Sequence, residues 1–195
     1  GHAGGRGYLQ NLNHSGVTIG ESTTSFSFTP TASDMISRAT DAGTGGYDDY
    51  ALVFISGNTS YQQSISSFSF SAGQVDITLD GVFPDLTGSQ TGDIIIAPEV
   101  QLAGDGTGAA AYGLTQGDEI AKVVISNGGS GYTYATATVL PALSSGTECQ
   151  VRAIMSPGDG HGCNPVEELG GYYAMVALKL EYDEQDTRGG NTESV

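Results

Sequence analysis

Short runs of alternating aromatic and hydroxyl residues constrain this chain most, because a period of two is typical of a strand with one buried face. Residues 23–29 read TTSFSFT and residues 67–71 read SFSFS. Residues 50–55 and 75–79 are further runs rich in β-forming side chains, bounded by Gly and Asp. These patterns predict an all-β protein.

The short Gly-rich segments between these runs predict the turns of antiparallel hairpins. The chain has 30 Gly in 195 residues, and its Asn-Gly and Asp-Gly pairs supply the positive φ angles of tight turns. We expect an antiparallel β-sandwich or meander with one or two short helical turns. One is predicted at residues 32–40, with Ser33 or Asp34 as the N-cap, and the other at residues 165–169, where Pro suits a first turn.

A Pro/Gly/Ser-rich connection at residues 84–92 predicts the internal boundary. The expected regions are a β-rich N-terminal region at 1–90, a β-meander module at 91–183 and a polar tail at 184–195. Within the module, residues 100–140 alternate strand-like runs with Gly-rich turns, which predicts a three-stranded meander.

Charge and hydropathy exclude two classes of partner. The chain has 22 acidic and 6 basic side chains, a formal charge of −16, so phosphate backbones repel it and no nucleic-acid partner is expected. The longest strongly apolar run, residues 94–96, is far too short to span a membrane. Residues 1–7 carry no initiator Met and no signal-peptide pattern, which predicts either processing or a longer product.

Two Gly-rich loops contain the residues that resemble metal ligands. Residues 104–108 read GDGTG and are best interpreted as a hairpin turn, although Asp105 is a weak calcium candidate. Asp159, in the second loop, is the other weak calcium candidate. No EF-hand spacing accompanies either residue, so no metal and no other cofactor is predicted.

A hydrolase hypothesis arises from the second loop, where His161 and Cys163 precede Glu167 and Glu168. The simpler interpretation is a rigid loop in which His161 bonds backbone groups, so we predict that the protein is not an enzyme. Cys149 and Cys163 either pair or remain free thiols, and the sequence leaves both open.

The strand predicted at residues 172–180 is apolar on both faces, which is typical of a central strand or one covered by a partner. The edges of this strand and of residues 50–55 are predicted sites of β-augmentation. The predicted interface residues are Tyr172, Tyr173, Met175, Tyr50 and Val53.

Two passages carry a resemblance to phage virion proteins. The first joins GDGTGA at residues 104–109 with residues 120–125 and NGGSGYT at 127–133, and is similar to a pattern widespread in tailed-phage virion proteins. The second joins GDGHG at 158–162 with NPVEELG at 164–170 and Tyr172-Tyr173. In that order it resembles the baseplate wedge proteins (gene-8 product type) of T4-like tailed phages, over roughly residues 93–183.

The resemblance implies a β-rich structural subunit that dimerises in the contractile-tail baseplate and has no enzymatic activity. We therefore expect a virion protein, assembled in the host cytoplasm, that forms a homodimer or higher oligomer and packs against other tail or baseplate proteins. The alternative is an extracellular carbohydrate-binding or adhesive β-sandwich, with or without calcium. Its ten Tyr would supply stacking faces for sugars, whereas the lack of Trp counts against it.

Overall fold

The computed structural model describes residues 4–155 and 175–180. Twelve strands and one helix lie in this part of the chain, and the paired strands whose register is resolved are antiparallel, which confirms the all-β prediction. In chain order the elements are β1 (Leu12–Gly20), β2 (Ser25–Phe28), α1 (Ser33–Ala42), β3 (Ala51–Ser56), β4 (Thr59–Ser71), β5 (Gln74–Leu79), β6 (Ser89–Ala97), β7 (Glu99–Gly104), β8 (Thr107–Gln116), β9 (Glu119–Ser130), β10 (Ala135–Leu140), β11 (Val151–Met155) and β12 (Met175–Leu180).

The chain forms two compact units, which we call the first and the second unit. The first unit is residues 9–99; the second contains residues 4–8 together with 100–155 and 175–180. The division after Glu99 differs from the boundary predicted at 84–92. Composition marked a turn there, but β6 follows it and pairs with both β1 and β3, so the turn lies inside the first unit.

The first unit is a six-stranded sheet in the order β1-β6-β3-β4-β5-β2. β1 and β2 are consecutive in the chain and lie at opposite edges of this sheet, although only four residues connect them. The sheet therefore curls until its edges approach, and the rings of His14 in β1 and Phe28 in β2 stack with centroids 4.6 Å apart. A register shift in β4 between Ile65 and Ser67 accompanies this curl.

Hairpin geometry follows the local sequence. Ser71 pairs with Gln74 across a two-residue turn in which Ala72 and Gly73 both have positive φ angles, 50° and 79°. Positive φ at both central positions defines the type I′ turn, whose twist matches that of the flanking strands. The strands predicted around residues 50–55 and 75–79 are confirmed as β3 and β5.

The core of the first unit follows the period of two. In β5, Val75, Ile77 and Leu79 are buried and alternate with exposed residues, as the sequence predicts. The largest fully buried side chains of this core are Tyr47, Tyr50, Phe54, Phe68, Phe83, Leu12, Ile19, Leu52, Ile65, Ile94 and Ile96. Burying each such side chain contributes roughly 1.5–3 kcal/mol, which makes this cluster the main source of stability of the unit.

The helix α1 begins at Ser33 and ends at Ala42, two residues beyond the predicted end. The predicted caps, Ser33 and Asp34, are wrong: the N-cap is Ala32, which makes no side-chain capping bond. The Asp34 carboxylate instead accepts a hydrogen bond from the backbone N–H of Met35, at 3.0 Å. Its position in the first turn is favourable to the helix dipole.

The second unit contains a four-stranded sheet in the order β10-β7-β8-β9 and an antiparallel pair, β11 and β12. The predicted three-stranded meander is therefore incomplete, because a fourth strand returns beside the first. This order is that of a Greek key. In the part of the chain that the structure describes, no helix is long and apolar enough to cross a membrane.

Candidate functional site

Residues 4–8 lie in a groove of the second unit formed by residues 118–120 and 145–149; we call it the 4–8 groove. Arg6 and Thr147 exchange two main-chain hydrogen bonds, at 2.6 and 3.0 Å, as an antiparallel bridge. On the other side, the Gly4 carbonyl accepts a bond from Ile120 N–H at 3.0 Å, and the Tyr8 N–H donates to the Asp118 carbonyl at 3.1 Å. The segment thus joins two strips of backbone that are about 25 residues apart in the chain.

Glycine is required at several points of this contact. A Cβ atom at Gly4 would lie 2.1 Å from the Ile120 carbonyl oxygen, and one at Gly5 would lie 2.3 Å from that of Thr147. On the groove side, a Cβ at Gly146 would lie 2.3 Å from the Arg6 carbonyl oxygen. Because these neighbours are backbone atoms, a side chain could enter only if the two backbones separated.

Tyr8 anchors the segment in the core of the second unit. Its side chain is 2% exposed and belongs to a cluster with Val100, Ile120 and Val139. The Tyr8 hydroxyl accepts a hydrogen bond from the backbone N–H of Cys149 at 2.9 Å. Segment 4–8 therefore combines main-chain pairing with one buried aromatic anchor, the combination by which β-augmentation binds an extended peptide.

Charged groups flank the same groove. The Arg6 guanidinium lies 3.3 Å from a carboxylate oxygen of Glu119, and the Asp118 carboxylate accepts a bond from Gly7 N–H at 3.1 Å. Because the Arg6 and Glu119 side chains are partly exposed, this ion pair contributes more to orientation than to stability.

A second candidate site is a cleft of about 350 Å³ in the first unit, which we call the His14 cleft. It lies where the edge strand β1 meets the start of α1. A bulge in β1 between His14 and Val17 interrupts its pairing with β6 at this point. The cleft is lined by Asn13, His14, Ser15, Thr31, Ala32, Asp34 and Met35.

The His14 cleft has the size and chemistry of a site for a small polar molecule. Its volume falls within the range usual for ligand pockets, roughly 300–1,000 Å³. Asn13, Ser15 and Asp34 offer hydrogen-bonding groups, while Met35 offers an apolar surface. The His14 ring is held by stacking on Phe28. This arrangement can bind a hydroxyl-rich ligand by hydrogen bonds and ring contact.

Two neighbouring carboxylates act on a third, that of Glu99, elsewhere in the first unit. Burial raises the pKa of Glu99, and the nearby Asp80 and Asp49 carboxylates raise it further, while a hydrogen bond donated by the Ser64 hydroxyl lowers it. The folded state therefore holds the Glu99 proton more tightly than the unfolded chain does. Its contribution to stability is complete below the unfolded pKa and is lost as the pH rises through the raised folded pKa.

Replacing Glu99 by Gln is expected to stabilise the protein at pH 7, because Gln removes a partly buried charge and can still accept the Ser64 bond. The expected gain is about 0.5–2 kcal/mol, near the lower end because Glu99 is only partly buried. The gain should shrink as the pH falls through the raised pKa of Glu99, because Glu99 itself then becomes neutral. Urea denaturation at several pH values measures it, with the exposed Asp41→Asn as the charge-matched control; an equal gain in both variants would contradict the prediction.

The Asp105 carboxylate, in the turn between β7 and β8, has a structural role. Its carboxylate accepts hydrogen bonds from the Thr133 hydroxyl, from Thr133 N–H at 2.8 Å and from Tyr134 N–H at 3.3 Å. These bonds lower the pKa of Asp105 and tie the β7–β8 turn to the connection that leads into β10. Among the described residues no group of three His, Cys, Asp or Glu could hold a metal ion, and Asp105, the weak calcium candidate, bonds to Thr133 and Tyr134 instead.

Replacing Asp105 by Ala is expected to destabilise the second unit at pH 7, because three donors lose their acceptor. Since the folded pKa is lowered, the stability that Asp105 contributes is present above the unfolded pKa and is lost as the pH falls through the folded pKa. The difference between wild type and variant should therefore shrink below pH 4. Thermal unfolding from pH 3 to 7 tests this; a difference that appears only when calcium is added would contradict it and favour Asp105 as a calcium ligand.

The structure contradicts the prediction that Tyr50 and Val53 are interface residues. Tyr50 is 2% exposed and Val53 is fully buried, and Tyr50 belongs to the core of the first unit. The Tyr50 hydroxyl accepts a bond from Leu9 N–H at 2.8 Å. The predicted edge at residues 50–55 is also wrong, because β3 is paired on both sides, with β4 and β6.

The other predicted residues divide into three groups. Met175 lies in β12, opposite Met155 of β11. Cys149 is a buried free thiol, and burial raises its pKa to about 12. The remaining predictions lie outside the described residues: Asp159, His161, Cys163, Glu167, Glu168, Tyr172, Tyr173 and the helical turn at 165–169.

Sequence reasoning missed both candidate sites, because each is formed by segments that are not adjacent in the chain. The signal for the 4–8 groove was present as Gly4, Gly5 and Gly7 immediately before Tyr8. The fold and these two sites define an all-β protein of two units. Of the two sites, the 4–8 groove is the one in which an extended segment is held by several main-chain hydrogen bonds. Comparison with family models, with curated proteins and with solved structures finds no match to this chain.

Proposed function

We propose that the protein is a non-enzymatic structural subunit of a phage virion, in the contractile-tail baseplate or a related tail structure, and that it acts by packing against other proteins. The observation that carries the proposal is the docking of residues 4–8 through main-chain bonds into the second unit. The resemblance over residues 93–183 to baseplate wedge proteins supports the same function.

Main-chain docking suits a subunit that must assemble despite its charge. With a formal charge of −16, copies of this chain repel each other as they approach, so assembly depends on specific short-range contacts. Backbone hydrogen bonds and one buried aromatic ring provide such contacts with only a small apolar pocket, the one that receives Tyr8. The proposed partners are further copies of the chain and neighbouring tail or baseplate proteins.

The mass of the particle in solution tests the proposal. Light scattering at physiological salt should give a dimer or a larger assembly, and its mass should not change when EDTA is added. A monomer at concentrations up to 100 µM would overturn the proposal as stated. A monomer that loosens on EDTA addition would instead favour a calcium-dependent binding module.

A second candidate function, carbohydrate binding, is favoured by the His14 cleft. Its hydrogen-bonding groups and the ring of His14 match the contacts that a sugar uses, namely hydroxyl bonding and stacking. Calorimetric titration with neutral oligosaccharides should then detect binding that His14→Ala abolishes and that Thr59→Ala, an exposed hairpin variant, leaves intact. The absence of any heat of binding with wild type would remove this candidate.

A further inference from the structure

We propose that the 4–8 groove takes the same segment from a second copy of the chain, so that neighbouring subunits are joined by exchanged segments. The inference rests on the proposed structural function, because exchange requires copies that are held side by side. The occupant is thus a stretch of this sequence, Gly4-Gly5-Arg6-Gly7-Tyr8, presented by another subunit.

The groove is selective for this segment through shape. Main-chain bonds alone would accept many extended peptides. However, Cβ atoms at positions 4 and 5 would lie 2.1 and 2.3 Å from backbone oxygens, so the groove accepts Gly there. Gly7 has a φ of 100°, which other residues rarely adopt, and Tyr8 must then fill the buried core position. Few other sequences satisfy all four conditions.

The charges of segment 4–8 and of the groove are also complementary, which favours binding of the segment from a second copy. Arg6 is one of only six basic side chains in the chain, and it lies in this segment. The groove presents Asp118 and Glu119: the Asp118 carboxylate bonds to Gly7 N–H, and the Arg6 guanidinium lies 3.3 Å from Glu119. In a chain that otherwise repels its own copies, a cationic segment and an acidic groove provide a local attraction between two subunits.

The chain that connects segment 4–8 to the groove residues is not itself one of the contacts that hold the segment in the groove. The bonds from Gly7 to Asp118 and from Cys149 to Tyr8 span 111 and 141 residues of sequence. Closing so long a connection affects free energy only logarithmically, so the link acts mainly by setting a local concentration. A neighbouring copy in an assembly supplies a comparable local concentration and makes identical contacts, which is the condition for exchange of an element.

A pair of cysteines tests the exchange directly. Arg6 and Thr147 lie opposite each other in an antiparallel bridge that exchanges both hydrogen bonds. Their Cα atoms are therefore roughly 5.5 Å apart, a separation that a disulfide can span. Both side chains are exposed, so Arg6→Cys and Thr147→Cys leave the core unchanged. Both are made with Cys163→Ser, while the buried Cys149 thiol, whose raised pKa keeps it protonated, stays in place.

The R6C chain and the T147C chain are co-expressed and oxidised. Exchange predicts a covalent heterodimer on a non-reducing gel, in an amount at least tenfold above that from R6C co-expressed with T59C, an exposed position in the first unit. The double variant R6C/T147C should likewise give covalent dimers or chains of subunits. Reduction should return every species to the monomer band of the denaturing gel.

Two outcomes would overturn the exchange, and they differ in what they imply for the proposed function. If R6C/T147C closes only within one chain and the mixed pair gives no more dimer than the T59C control, the segment binds its own subunit. A wild-type mass of a dimer or larger would then leave the structural function standing. If wild type is a monomer by light scattering, both the exchange and the proposed function fail.

Discussion

Replacing Phe54 by Ala is expected to lower the free energy of unfolding of the first unit by about 3–5 kcal/mol. Phe54 lies in β3, between β4 and β6, and its side chain is fully buried. Its ring centroid is 6.1 Å from those of both Tyr61 and Phe83. The variant loses the transfer energy of the ring and leaves a cavity that two flanking strands prevent from closing. Urea denaturation followed by circular dichroism measures the loss.

The Phe54 prediction has a control in the same unit. Val82 is exposed on the surface, so Val82→Ala should change stability by no more than about 0.5 kcal/mol. Since a domain of ordinary size is stable by only about 5–15 kcal/mol, the Phe54 variant should lose a large share of its stability and unfold at a clearly lower urea concentration. A loss below 1 kcal/mol would show that the core is not centred on β3.

Local patterns predicted those parts of the fold that depend on neighbouring residues. The alternation in β5 places Val75, Ile77 and Leu79 on one face, and all three are buried. Positive φ angles at Ala72 and Gly73 place the hairpin where the sequence has a Gly-containing turn. Strand and turn follow from steric preferences within a few residues, so no knowledge of distant segments is needed.

The position of a strand within a sheet could not be predicted in this way. Residues 50–55 have the composition of a strand, but composition does not say whether a strand is central or at an edge. That is decided by β6, about 40 residues later, which pairs with β3 along its second side. Tyr50 and Val53 are therefore core residues, although the same apolar character also fitted an interface.

The docking of segment 4–8 was even less predictable from local sequence patterns. Its glycines indicate flexibility when only neighbours are considered, and no periodic pattern precedes Tyr8. The structure uses those glycines for close backbone contact with residues 120 and 147. A Gly-rich segment next to an isolated aromatic residue is thus ambiguous between a loose tail and a docked peptide, because only its long-range partners distinguish the two.

Replacing Tyr8 by Ala is expected to lower the free energy of unfolding of the second unit by about 3–5 kcal/mol. The side chain is 2% exposed, and its hydroxyl is the acceptor for the backbone N–H of the buried Cys149. Tyr8→Phe keeps the ring and removes only this acceptor, so it should cost about 1–3 kcal/mol, the usual penalty of an unsatisfied buried donor. Urea denaturation of both variants separates the ring contribution from that of the hydroxyl.

Tyr134→Ala is the matched control for Tyr8, because it removes the same ring from a 60% exposed position in the same unit. If Tyr8→Ala costs no more than this control, segment 4–8 is not part of the core, and both the docking and the exchange lose their anchor. If the segment is exchanged, the loss in Tyr8→Ala should also depend on protein concentration, because wild-type stability then includes the association of copies. If the loss has the expected size but does not depend on concentration, the Tyr8 side chain packs into the groove of its own chain.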